Sequence, residues 1–101
     1  FKQVVESEIK RLGNNADLNH LDASNVTDMD SMFYNSKFNG DISKWDVSKV
    51  KNMDYMFKGS EFNGDISKWD ISDLKRSWAE EQIQENINSK KVEKILSKSL
   101  N

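Results

Sequence analysis

The sequence predicts a small mixed α/β repeat protein, built from 24-residue units and closed at each end by a helical segment. Three observations carry that expectation. The phrase FNGDISKWD stands at residues 38–46 and again, unchanged, at 62–70. A shift of 24 also brings Val26 onto Val50, Met29 onto Met53, Asp30 onto Asp54, Met32 onto Met56 and Phe33 onto Phe57, which accounts for all four methionines. At both ends the apolar residues abandon this register for helical spacing. Self-similarity at such a period is the mark of a solenoid, in which each unit covers its neighbour's open face.

The elements follow in chain order. Phe1, Val4, Val5, Ile9 and Leu12 recur at helical spacing and Gly13 follows as a stop, so residues 1–16 are expected to form an N-terminal capping helix. The repeats occupy 17–75: LNHLDASNVTDMDSMFYNSK from Leu18, ISKWDVSKVKNMDYMFKGSE from Ile42, and a third, cut short, ISKWDISDLK from Ile66. Ile42, Trp45, Val47 and Val50 read L-x-x-L-x-L-x-x-V, close to the leucine-rich-repeat pattern of a short strand. The expected fold is therefore a short leucine-rich-repeat-like solenoid, with Trp45 and Val47 on one strand face. Val50, Met53, Met56 and Phe57 then mark one or two helical turns, with Ser48 as N-cap. Asn39-Gly40 and Asn63-Gly64 are expected to supply the positive φ of a tight turn before the next strand. Trp45 and Trp69 are assigned to the core, because Leu21 holds the same place in the first copy, and the Met-Phe pairs are assigned there with them.

Beyond Leu74 the pattern changes. Ser77, Glu80 and Glu81 replace the Met-Met-Phe series, while Trp78, Ile83, Ile87, Val92, Ile95 and Leu96 continue in helical periods. Residues 76–101 are expected to form a C-terminal capping helical segment, one helix or two, with Ser89 able to cap the second. A chain of 101 residues makes one domain, 1–101, with a thin stability margin.

Composition excludes several classes of function. With 15 basic against 17 acidic residues the net charge is −2, which supplies no global field for nucleic acid or an anionic membrane. The chain has no cysteine, so disulfides, thiolate metal sites and cysteine nucleophiles are out, and its one histidine leaves little for zinc. Neither the EF-hand spacing nor the RTX nonapeptide is present for calcium. His20 has no nucleophile elbow, phosphate loop or H-E-x-x-H beside it. No enzyme activity, cofactor, metal or small-molecule ligand is expected. No apolar run reaches the roughly 20 residues of a membrane span, and no secretory leader is visible. A soluble chain is expected, trimmed or processed since it begins with Phe, and its compartment is open between the cytoplasm and the bacterial surface or secretion after loss of a leader.

LDASNVTDMDSMFYNSKFNGDISKWDVSKVKNMDYMF closely resembles the bacterial repeats of the BspA-like leucine-rich family, also called the DUF285 or mycoplasma-lipoprotein repeat. Its signature is approximately W-D-V-S-N-V-T-N-M-S-x-M-F followed by F-N-x-D-I-S, and the likeness runs from Asp17 to about Lys75. The resemblance implies extracellular or lipid-anchored adhesion and interaction proteins, usually with many more repeats, and short relatives in bacteria and their phages.

If strands stack in register, the residues between the buried ones form exposed rows: His20/Lys44/Lys68, Asp22/Asp46/Asp70 and Ser24/Ser48/Ser72. Rows about 4.8 Å apart set like charges side by side. The Lys and Asp rows are read as neutralising each other, with the aspartates also capping local amides. The same strip of His20, Asp22, Lys44, Asp46, Lys68 and Asp70 is the candidate partner-binding surface, and a basic stripe at Lys90, Lys94 and Lys98 is the reserve. The function expected is a non-catalytic protein–protein interaction module. Two alternatives are a small phage- or mobile-element-encoded inhibitor that occludes a host protein, and a structural fragment of a longer surface adhesin.

Overall fold

The computed structural model describes residues 1–74; the segment expected to cap the other end, with Trp78 and the Lys90, Lys94 and Lys98 stripe, lies outside the described residues. The amphipathic start forms α1, Lys2–Leu12. Gly13 ends it at φ 98, a value glycine adopts without a Cβ penalty, while its N–H bonds the Ile9 carbonyl at 2.7 Å. Lys10 and Arg11 stand in the last turn, where cations complement the helix dipole. The packed stripe is narrow. Val5 is buried and Phe1 and Ile9 are partly so, a set spaced i, i+4, i+8, whereas Val4 and Leu12 flank it and stay 48% and 44% exposed.

After α1 the chain advances by turns. In the unit from Ile42, the amides of Trp45, Val50, Met56 and Ser60 bond back to the carbonyls of Ile42, Val47, Met53 and Phe57. The unit from Leu18 makes the same bonds at Leu21, Val26, Met32 and Ser36. The side chain just before each of the first three turns locks it. Asp41, Asp46 and Asn52 accept the amides of Ser43, Ser48 and Asp54 at 2.9, 3.0 and 2.9 Å, as Asp17, Asp22 and Asp28 do one unit earlier. At the fourth corner Ser36 and Ser60 offer their hydroxyl oxygens to the amides of Phe38 and Phe62.

This differs from the expectation of a strand and a helical turn in each unit. Among the described residues there is one α-helix, and β pairing is confined to two isolated parallel bridges, Asp17 with Asp41 and Asp28 with Asn52. The physical reason is local competition: an Asp or Asn every five or six residues gives the backbone a nearer acceptor than a strand ladder or a helix offers. Ser48 accordingly caps no helix; its amide and hydroxyl both donate to Asp46.

Adjacent units are joined edge to edge at residues about one repeat apart. Leu18 donates to Asp41, Met29 to Asn52, Ser31 to Asp54, Phe33 to Met56 and Asn35 to Lys58, while Asp41 returns a bond to Ala16 and Glu61 to Ser36. Side chains extend the ladder: Asn39 Oδ1 accepts the Asn63 amide at 2.6 Å, and Asn19 Oδ1 accepts the Lys44 amide at 2.8 Å.

The interior is correspondingly periodic. Phe33 lies over Phe57 with centroids 5.8 Å apart and planes within 2°, and Phe38 lies over Phe62 at 6.2 Å and 5°. Trp45 and Trp69 flank these columns against Phe33 and Phe57. Each buried indole must place its N–H, and each does so on the preceding unit: Trp45 Nε1 donates to Leu18 O at 2.9 Å and Trp69 Nε1 to Ile42 O at 3.1 Å. Phe1 meets Trp45 edge-on at 5.3 Å, so the N-terminal segment closes the aromatic column.

The Asn-Gly pairs act differently from the sequence expectation. Positive φ falls at Ser31, Asn35, Tyr55 and Gly59, with Gly13 outside the units, and not at Gly40 or Gly64. Gly40 is required by close approach instead: a Cβ there would meet the Ala16 carbonyl oxygen of the neighbouring unit and lie 2.6 Å from Phe38 Cε1. Gly64 repeats this against the Phe62 ring and the Gly40 carbonyl.

Candidate partner-binding surface

The strip singled out by the repeat is exposed. His20, Lys44 and Lys68 occupy the third position of successive turns, and Asp22, Asp46 and Asp70 precede the next turns; all six are solvent-exposed. Their chemistry is less free than their exposure. Asp22 Oδ1 accepts both the amide and the hydroxyl of Ser24, at 2.9 and 2.6 Å, and Asp46 does the same with Ser48 at 3.0 and 2.6 Å. Those bonds, the serine hydroxyl's first, hold the Asp22 and Asp46 carboxyls below the ordinary carboxylate value. Asp70 accepts the Ser72 amide at 3.0 Å.

At Asp41 and Asp46 the lysine field comes from a residue nearby along the chain. The Asp41 carboxyl is lowered chiefly by Ser43, then by Asn19, with Lys44 adding its field. Lys49 acts likewise on Asp46, while Asp22 opposes it from one unit away. Lys44 and Lys49 each stand three positions after the aspartate on which they act, and for Lys44 that aspartate, Asp41, is outside the row it was paired with. His20 is drawn toward α1: its Nε2 lies 3.2 Å from Glu8 Oε1, and Arg11 Nε donates to the other Glu8 oxygen at 2.7 Å. Arg11 first and His20 second keep the Glu8 carboxyl below its ordinary value. His20 is therefore part of the junction between α1 and the first unit, although it shares a turn position with Lys44.

A second surface has no counterpart in the sequence reading. Ser31, Tyr34, Tyr55 and Lys58 line a groove of about 300 Å³ between adjacent units. Tyr34 and Tyr55 are 49% and 45% exposed, whereas the phenylalanines and tryptophans of the units are all buried. Lys58 Nζ sits 5.2 Å from the centroid of the Tyr55 ring. The available signal was the failure of these positions to repeat: Ser31 shifts onto Tyr55 and Tyr34 onto Lys58.

Another concavity, of about 380 Å³, follows the outer side of α1 along Gln3, Val4, Ser7, Glu8 and Arg11. Among the described residues no three His, Asp or Glu side chains gather closely enough to hold a metal ion, and no helix is long and apolar enough to cross a membrane.

Residues 2–97 match the family model described as "Mycoplasma protein of unknown function, DUF285". The chain belongs to the DUF285 family. The match extends past the repeats recognised in the sequence to take in α1 and most of the segment after Leu74, so the DUF285 unit here includes its two flanks. Neither the curated proteins nor the solved structures gave a match.

Proposed function

We propose that this DUF285 chain is a non-catalytic protein-interaction module, its units stacked as a short leucine-rich-repeat-like solenoid, and that exposed side chains recurring once per unit contact the partner. The observation that carries this reading is the division of labour within a unit. Apolar residues fill one continuous core, turn aspartates are consumed by their own backbone, and what recurs outside is an exposed lysine at the same place in successive units, Lys44 and Lys68. Such an array reads a surface, and the two grooves formed by described residues lie open on it.

Within that reading, Lys44 and Lys68 are the strip residues whose charge is least committed to making a turn. The double substitution Lys44→Glu/Lys68→Glu is expected to abolish capture of a stoichiometric protein partner while leaving the circular dichroism spectrum and melting temperature unchanged, since like charges across an interface cost several kcal/mol. A single intracellular enzyme in the captured material points to the inhibitor form of this function, and a host-surface protein to the adhesin form. Retention of a partner by the reversed variant removes the strip from the contact surface.

A further inference from the structure

We propose that the groove between Tyr34 and Tyr55 is a recognition site for an arginine side chain on a partner peptide. Aromatic surface and acidic charge meet there. Tyr34 and Tyr55 are nearly half exposed on adjacent units, and tyrosine is the residue type that supplies contact area at low entropic cost in protein interfaces. The repeat itself does not require them. Tyr34 stands where the next unit has Lys58. Tyr55 stands where the preceding unit has Ser31, whose φ of 59 matches the 58 of Tyr55, so the turn keeps its shape with a small side chain.

Charge decides the occupant. Asp30 precedes Ser31 in one wall of the groove and accepts its hydroxyl at 2.6 Å. Asp54 precedes Tyr55 in the other wall, and its carbonyl oxygen accepts the Ser31 amide at 2.9 Å, which sets the two aspartates at the same level of neighbouring units. Both are exposed, and among the described residues no hydrogen bond or ion pair engages the Asp54 carboxylate. Lys58 lines the groove too, but it has a partner within the fold and holds its ammonium group 5.2 Å from the Tyr55 ring centroid. Its charge is already in use, and the two carboxylates leave the groove net acidic, so a cation is the complement. A guanidinium fits better than an ammonium, because its plane stacks on an aromatic face while its N–H groups donate to a carboxylate. Tyr34 supplies that face, since Lys58 lies over Tyr55.

This inference rests on the interaction-module reading and names a surface distinct from the strip. The test is amide NMR of the full chain titrated at low salt with acetyl-Ala-Ala-Arg-Ala-Ala-amide and with analogues carrying citrulline or Lys in place of Arg. Saturable shifts are expected at Ser31, Tyr34, Asp54 and Tyr55. The citrulline analogue keeps the planar group without its charge and should bind about three- to fivefold more weakly, as should the Arg peptide to Asp54→Asn, the weight of an exposed ion pair. Tyr34→Ala should weaken the Arg peptide about two- to fivefold, the weight of an exposed cation–π contact, and the Lys analogue should bind more weakly than Arg. Lys44→Gln/Lys68→Gln should leave the affinity unchanged, so that failure of the strip and failure of the groove are read separately. Absence of saturable shifts, shifts centred outside the groove, citrulline or Lys binding as tightly as Arg, or undiminished affinity in Asp54→Asn or Tyr34→Ala would each overturn the proposal.

Discussion

Two corners of the same repeat have had opposite histories. Residues 38–46 and 62–70 are identical, whereas 31–37 and 55–61 agree only where a side chain is buried or closes a turn. At the invariant corner most positions serve the scaffold: Phe38 and Phe62 stack, Gly40 leaves room for the Ala16 carbonyl, Asp41 and Asp46 hold turns, and Trp45 bonds the unit before it, while Lys44 and Lys68 stay exposed. At the diverged corner the backbone conformation is kept, with positive φ at Ser31 and Tyr55 and at Asn35 and Gly59, while the exposed side chains change. Inter-unit fit restrains a buried residue through its neighbour above and below; the exposed side chains at 34 and 55 answer to neither, whereas Lys44 and Lys68 repeat although they too are exposed.

The largest test of this contrast is Phe57→Ala. Phe57 is fully buried between Phe33, Phe62 and Trp69, so its truncation is expected to cost about 3–5 kcal/mol, read from chemical denaturation. A loss below about 1 kcal/mol would mean that the aromatic column is not the stabilising feature. Gly40→Ala comes next, at about 1–3 kcal/mol, because its Cβ meets backbone and ring atoms that cannot both retreat. Gly40 has ordinary φ, so a neutral result would remove close approach as the reason for glycine there. Trp45→Phe keeps most of the packing but removes the indole hydrogen bond to the Leu18 carbonyl, which retains the Leu21 amide, at about 0.5–1.5 kcal/mol.

Acid should act mainly on the turns. Glu8, Asp22, Asp41 and Asp46 all have folded pKa values below their ordinary 4.5 or 3.8. Their contribution is therefore fully present above those ordinary values and is lost as pH falls through the lower folded ones. Urea midpoints should be flat from neutral pH to just above 4.5 and decline below it. Ser48→Ala should reduce that decline, because the Ser48 hydroxyl is the first cause of Asp46's lowered value.

The smallest expected effect has the opposite sign. Tyr55→Asn places a residue tolerant of left-handed φ where a bulky one now sits, and should raise stability by up to about 1 kcal/mol. A destabilised variant would show that the Tyr55 ring supports the fold, and would join the two corners into one class.

Much of this molecule was legible in its residues. The 24-residue register, the helix that Gly13 ends, and the burial of Trp45, Trp69, Met56 and Phe57 follow from spacing, because burial in a repeat demands an apolar residue at the same place each time. The exposure of Lys44 and Asp46 followed from the same alternation. Periodicity is silent on what a residue does once placed. Asp46 read equally as a surface charge or a turn acceptor until the Ser48 amide was located, and only contact between units shows that Gly40 makes room where it was expected to reverse the chain. His20 belonged to the strip by register, yet the approach of α1 assigned it to Glu8. Tyr34 and Tyr55, unrelated under the repeat, share a groove because edge-to-edge pairing sets one unit's turn beside the next. Spacing along a chain encodes which side chains are buried; which exposed ones meet is decided by the distance between units, and that distance exists only after folding.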